Sequence, residues 1–328
     1  MHIMIATRLV PRAGLQGRNF LDLAELSPTE FHALLRLARE LKGDASVATR
    51  SLLRGRTLAM LFEKPSLRTR VSFEVAVTSL GGQALFATGS EMLVGTRESP
   101  EDAARVLSRY VDAVVVRTHE HEPLERFAAA ASVPVINGLS ALYHPCQAFA
   151  DVLTMEERFG SVEGLRVVYL GDARNNVATS LAQAVVLLGG SMRFAAPFSH
   201  RPSEATLERL AELGASTGGR VRAFTDPVRA LRGADVVYTD VWTSMGEEHL
   251  HERNAAMLLP YAVTERSFVY TAPHAAFMHC LPAHRGQEVA AAVIDGARSL
   301  VFDQAENRLH AQRALLVALI TDGKGTSL

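Results

Sequence analysis

The sequence predicts an α/β protein of two domains, each a mostly parallel sheet flanked by helices. Helical patterns alternate along the chain with short runs of β-branched residues, which is typical of βαβ units around parallel sheets. The chain has 328 residues, more than one hydrophobic core usually organises. Its hydrophobic fraction of 48% is sufficient for two buried sheets. Two domains imply a cleft, and we expect ligands to bind there.

The first predicted domain starts with a clearly marked helix. Ser27, Pro28 and Glu30 predict an N-cap, a proline in the first turn and a capping-box partner, and Gly43 predicts the end of this helix. Strand patterns follow at 57–62, 84–87, 113–117 and 134–136, interleaved with helices at about 68–80, 100–109 and 122–131.

The second predicted series begins with a helix at 145–159. Strand patterns follow it at 166–170, 191–195, 222–224, 236–239 and 277–280. We therefore place the first domain at residues 1–145 and the second at residues 146–304.

Composition excludes several classes of partner. Lys and Arg number 34 against 35 Asp and Glu, so there is no bulk attraction for nucleic acid or an anionic membrane. No run approaches the roughly 18 apolar residues of a membrane-spanning helix. Residues 1–20 lack the apolar core and cleavage site of a signal peptide. Cys146 and Cys280 are too few for a disulfide framework. We expect a cytoplasmic protein that binds neither nucleic acid nor membranes.

The first cluster of functional residue types runs from Glu63 to Arg70, between a predicted strand and an amphipathic helix whose apolar face is marked by Val71, Val75 and Leu80. The first N–H groups of a helix lack partners within the helix, and the helix dipole favours negative charge there. The hydroxyls of Ser66 and Thr69 and the guanidinium of Arg68 would therefore suit a phosphate group. The alternative is an ordinary serine N-cap followed by solvated arginines.

Further candidates follow in the same domain. Arg117 ends an apolar strand, where open α/β sheets collect their ligands. His144 and Gln147 flank the helix start marked by Pro145, and their spacing of three lets both side chains face one ligand. A histidine there can donate to a developing oxyanion, whereas a metal site would need more ligands nearby. A histidine that only caps the helix is the alternative.

Three strands of the second domain are followed by polar residues. Asn175 and Asn176 follow the first, but the glycine spacing of a dinucleotide site is absent. Asp240 follows another strand and offers a carboxylate to an ammonium group, ahead of a small-residue loop that contains Ser244. Cys280 closes a third strand. A capped turn at Asp240 and a buried core thiol at Cys280 are the alternatives.

Together these segments resemble the aspartate/ornithine carbamoyltransferase family, and within it the members that use ornithine, over about residues 20–320. The resemblance rests on the order and spacing of FEKPSLRTR, GTRESPEDAARVLSRYVDAVVVRTH, NGLSALYHPCQAFAD, GDARNN, DVWTSMG, MHCLPAHRG and DQAENR. It implies that the carbamoyl group of carbamoyl phosphate is transferred to the side-chain amine of L-ornithine, which gives L-citrulline and phosphate in arginine metabolism.

The resemblance also implies a role for each domain. Domain 1–145 would bind carbamoyl phosphate, with the last helix, 305–328, packing back on it. Domain 146–304 would bind ornithine, and the active site would lie in the cleft between the domains. The resemblance further implies a homotrimer or an assembly of trimers, and no requirement for a metal or organic cofactor.

Site residues follow from the resemblance position by position. The implied catalytic residues are Arg68, Arg117, His144 and Cys280. Carbamoyl phosphate would also contact Ser66, Leu67, Thr69, Gln147, Leu281 and Arg308. Ornithine would contact Asn176, Asp240, Ser244 and Met245.

Two positions depart from the family pattern. Leu67 stands where a threonine is frequent, and it keeps the backbone N–H through which that position can act. Leu93 stands where many members place a glutamine that reaches a neighbouring subunit's phosphate site.

Other readings stay open at this point. Sister enzymes use acylated ornithine, putrescine, lysine or aspartate; Asp240 and the loop at Ser244 favour a free amino acid, and lysine is the hardest of these to exclude. An inactive paralogue would be expected to lose the phosphate arginines, and a dinucleotide-dependent dehydrogenase lacks its glycine fingerprint here. The sequence is compatible with arginine synthesis and with arginine breakdown.

Overall fold

A computed structural model of the chain describes residues 14–44, 46–88, 98–243 and 251–321. Contacts divide the chain into two compact units, Met1–Phe149 with Arg308–Leu328, and Ala150–Asn307. Each unit contains one parallel sheet with flanking helices, so the predicted fold class is confirmed. No helix among these described residues has the length and apolar character needed to cross a membrane.

The sheet of the first unit has the order β2-β1-β3-β4, with all strands parallel. Its strands are β1 (Thr57–Phe62), β2 (Gln83–Thr88), β3 (Ala113–Arg117) and β4 (Val135–Leu139). Strands β1 and β3 are almost entirely buried, as parallel strands covered on both faces should be. The connection after β1 runs to β2 on one side and the connection after β3 runs to β4 on the other, so a topological switch point lies between β1 and β3. Such switch points are where α/β sheets bind their ligands.

Five helices are introduced along this part of the chain. They are α1 (Pro28–Gly43), α2 (Leu67–Ser79), α3 (Pro100–Leu107), α4 (Glu122–Ala130) and α5 (Pro145–Phe159). The predicted capping box of α1 is confirmed, because Ser27 Oγ accepts from the Glu30 N–H and the Glu30 carboxylate accepts from the Ser27 N–H. Phe31 of α1 meets Phe149 of α5 edge-on, with ring centroids 5.7 Å apart.

Helix α2 buries a different face from the one that its sequence pattern marks. Val71 and Val75 were expected to define its apolar stripe, yet they are 46% and 43% exposed. Phe73 and Val77 are fully buried instead. These two residues are four positions apart, so they share one helix face, and that face fills the core. The prediction of the buried face was wrong, and Val71 and Val75 lie on an exposed face.

The sheet of the second unit has the order β7-β6-β5-β8-β9, again with all strands parallel. Its strands are β5 (Arg166–Leu170), β6 (Ser191–Ala195), β7 (Arg220–Phe224), β8 (Val236–Thr239) and β9 (Ala276–His279). The switch point here lies between β5 and β8. The strand predicted to include Cys280 ends one residue earlier, at His279, so Cys280 lies just past the strand.

The remaining helices follow the strands of this unit. They are α6 (Asn176–Leu187), α7 (Glu204–Gly214), α8 (Pro227–Leu231), α9 (His251–Leu258), α10 (Ala291–Ile294) and α11 (Val301–Ile320). Val168, Val237 and Phe277 of the sheet share one core with Leu231 of α8 and Ile294 of α10. This burial fixes the strand ends from which the predicted site residues emerge.

Candidate active site

Ser66 caps the helix that follows β1. Its hydroxyl oxygen accepts from the Thr69 N–H at 3.4 Å, and its O–H lies 3.0 Å from Thr69 Oγ1. The N-cap reading of Ser66 is therefore correct. It does not compete with an anion site, because the first N–H groups of α2 and its dipole stay at the same end of the helix. Leu67, the first residue of α2, is 77% exposed.

Thr69, Gln147 and Arg308 meet in the buried interior of the first unit. Arg308 donates through Nη1 to Gln147 Oε1 at 2.6 Å and through Nη2 to Thr69 Oγ1 at 3.0 Å. All three side chains are almost fully buried. The two terminal nitrogens of one guanidinium therefore hold residues from α2 and α5, which fixes their orientation. Three predicted carbamoyl phosphate residues are thereby brought together.

His144 lies in a strongly electropositive part of the same unit. Burial lowers its pKa well below the usual histidine value, and the charges of Arg308, Arg117 and Arg68 lower it further. The imidazole is consequently neutral at pH 7 and can donate a neutral hydrogen bond. Arg117 is buried and Arg68 is exposed. Three guanidinium groups near one neutral imidazole suit a ligand that carries two negative charges and a carbonyl.

Glu63 is a site-supporting residue that the sequence reasoning missed. Its backbone N–H donates to the Arg117 carbonyl at 2.8 Å. Its carboxylate accepts from the Thr118 hydroxyl and, at 3.0 Å, from the His119 N–H. Glu63 therefore ties the segment after β1 to the segment after β3 at the switch point. The signal available in the sequence was only that Glu63 directly follows a buried strand.

Cys146, the other cysteine, has a structural environment. It is buried, and its thiol donates to the Asn137 carbonyl at 3.4 Å. Burial raises the pKa of this thiol to about 12, although the charge of Arg308 acts in the opposite direction. Cys146 is therefore protonated at pH 7 and unsuited to act as a nucleophile.

Asp240 and Cys280, both predicted as site residues, are in contact in the second unit. The Cys280 thiol lies 3.0 Å from Asp240 Oδ1, which also accepts from the Val241 N–H at 2.8 Å. Asp240 is largely buried, and Cys280 is partly exposed. A carboxylate held in this way beside a thiol can receive an ammonium group while the thiol contacts a second amine.

Asn175 and Asn176 have distinct positions at the start of α6. Asn175 is the N-cap, its Oδ1 accepts from the Ala178 N–H at 2.7 Å, and its Nδ2 donates to the Tyr169 hydroxyl at 2.7 Å. Asn176 is the first helical residue and is half-buried. Tyr169 therefore fixes the amide of Asn175, and this pair aims the turn that carries Asn176. The sequence did not identify Tyr169 as a site residue, because a tyrosine inside an apolar strand is normally interpreted as part of the hydrophobic core.

One group of side chains in the described part of the chain has the composition of a metal site. Asp240, His279 and Cys280 each place one ligand atom within 4.8 Å of the others. The Nδ1 atom of His279 already accepts a hydrogen bond from the Leu281 N–H at 2.8 Å, so its lone pair is not available to a metal. Without that nitrogen only two ligands remain, fewer than a stable zinc site uses.

Three residues named from the sequence lie outside the described residues. They are Ser244 and Met245, predicted to contact ornithine, and Leu93, the departure from the family pattern. Every other predicted site residue is described, and each lies at or after the carboxyl end of a strand, at the start of a helix, or on α11.

Comparisons with known proteins give matches over nearly the whole chain. Residues 18–157 match the family model "Aspartate/ornithine carbamoyltransferase, carbamoyl-P binding domain", and residues 163–319 match its "Asp/Orn binding domain". An ornithine carbamoyltransferase from Hyperthermus butylicus is 48% identical over 93% of this chain and 98% of its own length. An anabolic ornithine carbamoyltransferase from Pyrococcus furiosus is 46% identical over 94% of this chain and 98% of its own.

Solved structures of ornithine carbamoyltransferases also superpose on this chain. Ornithine carbamoyltransferase from Pyrococcus furiosus superposes with a TM-score of 0.89 at 46% identity, over 93% of this chain and 98% of that one. Ornithine transcarbamoylase from Giardia lamblia superposes with a TM-score of 0.85 at 34% identity, over 94% of this chain and 99% of that one.

Proposed function

Because the chain belongs to the aspartate/ornithine carbamoyltransferase family, we propose that it transfers the carbamoyl group of carbamoyl phosphate to the side-chain amine of L-ornithine. The products are L-citrulline and phosphate. The observation that carries this proposal is that Arg68, Arg117 and Arg308 lie close enough for their charges to act on the neutral, buried imidazole of His144. A second supporting observation is the contact between Asp240 and Cys280, a pair that suits an amino-acid substrate.

In the proposed mechanism the first unit binds carbamoyl phosphate. Arg68, Arg117 and Arg308 neutralise the phosphate as it leaves, with Ser66 and the Leu67 N–H at the start of α2 as further donors. Thr69 and His144 polarise the carbonyl, which must become tetrahedral.

The planar carbamoyl group also needs acceptors for its NH2. Gln147 Oε1 already accepts from Arg308, but a carbonyl oxygen has a second lone pair that can accept from the substrate. The backbone carbonyl near Leu281 supplies another acceptor. Fixing the carbamoyl plane in this way contributes to catalysis through orientation.

In the second unit, Asp240 binds the ammonium group at the amino-acid end of ornithine. Asn176, Ser244 and Met245 also contact ornithine. Cys280 contacts the reacting side-chain amine. That amine has an unperturbed pKa of about 10.4, so it must first lose one proton to solvent to expose its lone pair. The nitrogen then bonds to the carbonyl carbon, the C–O bond to phosphate breaks, and an oxygen of the departing phosphate accepts the second proton of the nitrogen.

The proposal assigns carbamoyl phosphate to domain 1–145 with helix 305–328, and ornithine to domain 146–304. Two observations support a division near these limits, and both place the first boundary after residue 145. The family models for the two binding domains meet between residues 157 and 163. The contact-defined units end at Phe149 and resume at Arg308.

The assembly is part of the same proposal: a cytoplasmic homotrimer, or an assembly of trimers. Support comes from an exposed apolar stripe on α2, formed by Leu67, Val71 and Val75. Beside the stripe, a groove of about 570 Å³ runs along Pro65, Leu67 and Phe86 at the edge strand β2. An exposed apolar stripe next to a sheet edge that no strand of the described residues extends is expected to be covered in the working protein, here by a second copy of the chain.

The proposed reaction can be followed directly by NMR. With carbonyl-labelled carbamoyl phosphate and L-ornithine, the label is expected to move to the ureido carbon of citrulline while one phosphate is released per citrulline. Label that stays in carbamoyl phosphate, or is lost only as bicarbonate, would contradict the proposal.

A further inference from the structure

The turn after β9 contains an unusual backbone conformation. Among the residues that the structure describes, Leu281 is the one non-glycine residue with a positive φ, at 58°. L-residues rarely adopt this conformation, because Cβ approaches the following carbonyl oxygen. Leu281 follows Cys280 directly, so whatever holds Leu281 in this conformation also sets the direction of the Cys280 side chain.

The side chain of His279 holds this turn. Its Nδ1 accepts from the Leu281 N–H at 2.8 Å. The His279 backbone is anchored in turn, because its N–H donates to the buried Gln304 Oε1 at 3.0 Å. Gln304 Nε2 donates to Asp151 Oδ1 at 2.6 Å, a carboxylate that is fully buried. The imidazole is thus presented to Leu281 from a rigid support.

Glu288 lies on the opposite side of the His279 ring. Its Oε1 is 3.5 Å from His279 Nε2, and both side chains are completely buried. The same Oε1 accepts from the His284 N–H, which ties the carboxylate to the turn itself. Glu288 also faces the ring of His284, but this contact is weaker than the one with His279. The His284 ring is 55% exposed, and its Nδ1 lies 3.7 Å from Glu288 Oε2.

These contacts determine the tautomer of His279. Since Nδ1 accepts a hydrogen bond, it carries no proton, and the proton of the neutral ring is on Nε2. The buried carboxylate of Glu288 faces that nitrogen and favours a proton there. If the proton moved to Nδ1, two donors would face each other at Leu281 and the turn would lose its support.

We infer that Glu288 and His279 are positioning residues for the transfer reaction: Glu288 selects the Nε2–H tautomer of His279, and His279 holds the Leu281 backbone and the adjoining Cys280. This inference rests on the proposed function, in which Leu281 presents a carbonyl to the carbamoyl group and Cys280 contacts the amine. Neither His279 nor Glu288 is required to touch a substrate.

A matched pair of substitutions tests His279. Asparagine places its Oδ1 where Nδ1 stands and keeps the acceptor for Leu281, whereas glutamine reaches the Nε2 position and leaves the Leu281 N–H without one. His279→Asn is expected to keep kcat within about 10-fold of the original chain, and His279→Gln to lower kcat by about 100-fold or more. The Kd for carbamoyl phosphate, measured by calorimetry, should change by less than about 3-fold in His279→Asn. Equal losses of kcat at equal unfolding temperature would overturn the inference.

Glu288 is tested by an isosteric change. Glu288→Gln removes the charge that favours a proton on Nε2, and kcat is expected to fall by about 10-fold or more. His284→Ala is the control, because it removes only the exposed ring and keeps the backbone N–H bonded to Glu288; its kcat should stay near normal. An unchanged kcat in Glu288→Gln would count against the inference.

Nitrogen NMR of the unaltered chain gives a test that needs neither activity nor a variant that folds poorly. The His279 ring should show its proton on Nε2, and a proton on Nδ1 would overturn the inference. A chain with this tautomer that does not carbamoylate ornithine would overturn the proposed function while leaving the tautomer assignment in place.

Discussion

Arg308 Nη1 lies 2.6 Å from Gln147 Oε1, although the two residues are separated by 161 positions in the chain. Both side chains are almost fully buried. The guanidinium is therefore oriented by protein contacts, and little further ordering is required when a phosphate arrives. Preorganised donors of this kind stabilise a transition state without a reorganisation cost during the reaction.

Removing a phosphate donor should strongly reduce activity. Arg117→Ala and Arg68→Ala are each expected to lower kcat/KM by at least about 100-fold, which corresponds to about 2.7 kcal/mol of transition-state stabilisation. Arg70→Ala is the matched control, since Arg70 lies on the same helix but stacks its guanidinium over Phe86, 3.9 Å from the ring centroid. Steady-state kinetics on the three variants measure this. Near-normal turnover in either of the first two would refute its assigned role.

The charge of Asp240 should matter more than its shape. In Asp240→Asn the side-chain oxygen can still accept from the Val241 N–H and the Cys280 thiol, so the local structure is preserved. Without the negative charge, kcat/KM for ornithine is expected to fall by about 100-fold, while the Kd for carbamoyl phosphate stays nearly constant. Kinetics and calorimetry separate the two effects. An unaltered KM for ornithine would show that Asp240 does not bind the ammonium group.

The stability of the substrate-free protein should depend on pH through His144. Burial and three nearby guanidinium groups lower its pKa in the folded chain, so the unfolded chain takes up a proton first as the pH falls below about 6.5. Stability is thus lost from about pH 6.5 down to the folded pKa, by at most about 1.4 kcal/mol per pH unit.

His144→Gln removes this contribution, whereas His121 and His200, whose pKa values burial also lowers, remain. The Tm of the unaltered chain should therefore fall more than that of the variant between about pH 7.5 and about pH 5.5. An equal fall in both proteins would contradict the assigned environment of His144.

The exposed stripe on α2 should govern assembly. Val71→Glu places a charge on this stripe and is expected to convert trimers to smaller species, because burying an unpaired carboxylate is costly. Val106→Glu is the control, since Val106 is 43% exposed on another helix. Light scattering at micromolar concentration measures the mass. An active monomer before any substitution would contradict the proposed trimer.

Local patterns predicted much of the fold. Strands β1, β3, β5, β6 and β8 begin and end at the predicted residues. In β1, β3 and β8 the signal was a nearly continuous hydrophobic segment, as expected of parallel strands buried on both faces. The capping box of α1 was also predicted correctly, from Ser27 and Glu30. Helix α2 was misread, because its apolar residues occupy two faces and only tertiary packing selects Phe73 over Val71.

The site was predictable in part. Ser66, Arg117, His144 and Asp240 follow strands or begin helices, so local position marked them. Arg308 entered only through the resemblance to a family, because no spacing rule connects it to Gln147. Glu63, Tyr169 and Glu288 act through contacts with distant residues or with a turn whose shape the sequence does not specify, and nothing local distinguishes them from ordinary core or surface positions.

The most direct test of the central claim is a panel of amines offered with carbamoyl phosphate, scored for ureido product and phosphate release. L-Ornithine is predicted to give the highest kcat/KM, above lysine, putrescine, N-acetylornithine and aspartate. The reason is that Asp240 suits a free amino-acid end, and the Cys280 thiol, 3.0 Å from Asp240 Oδ1, suits the side-chain amine. A rate with putrescine equal to or better than that with ornithine would contradict the account.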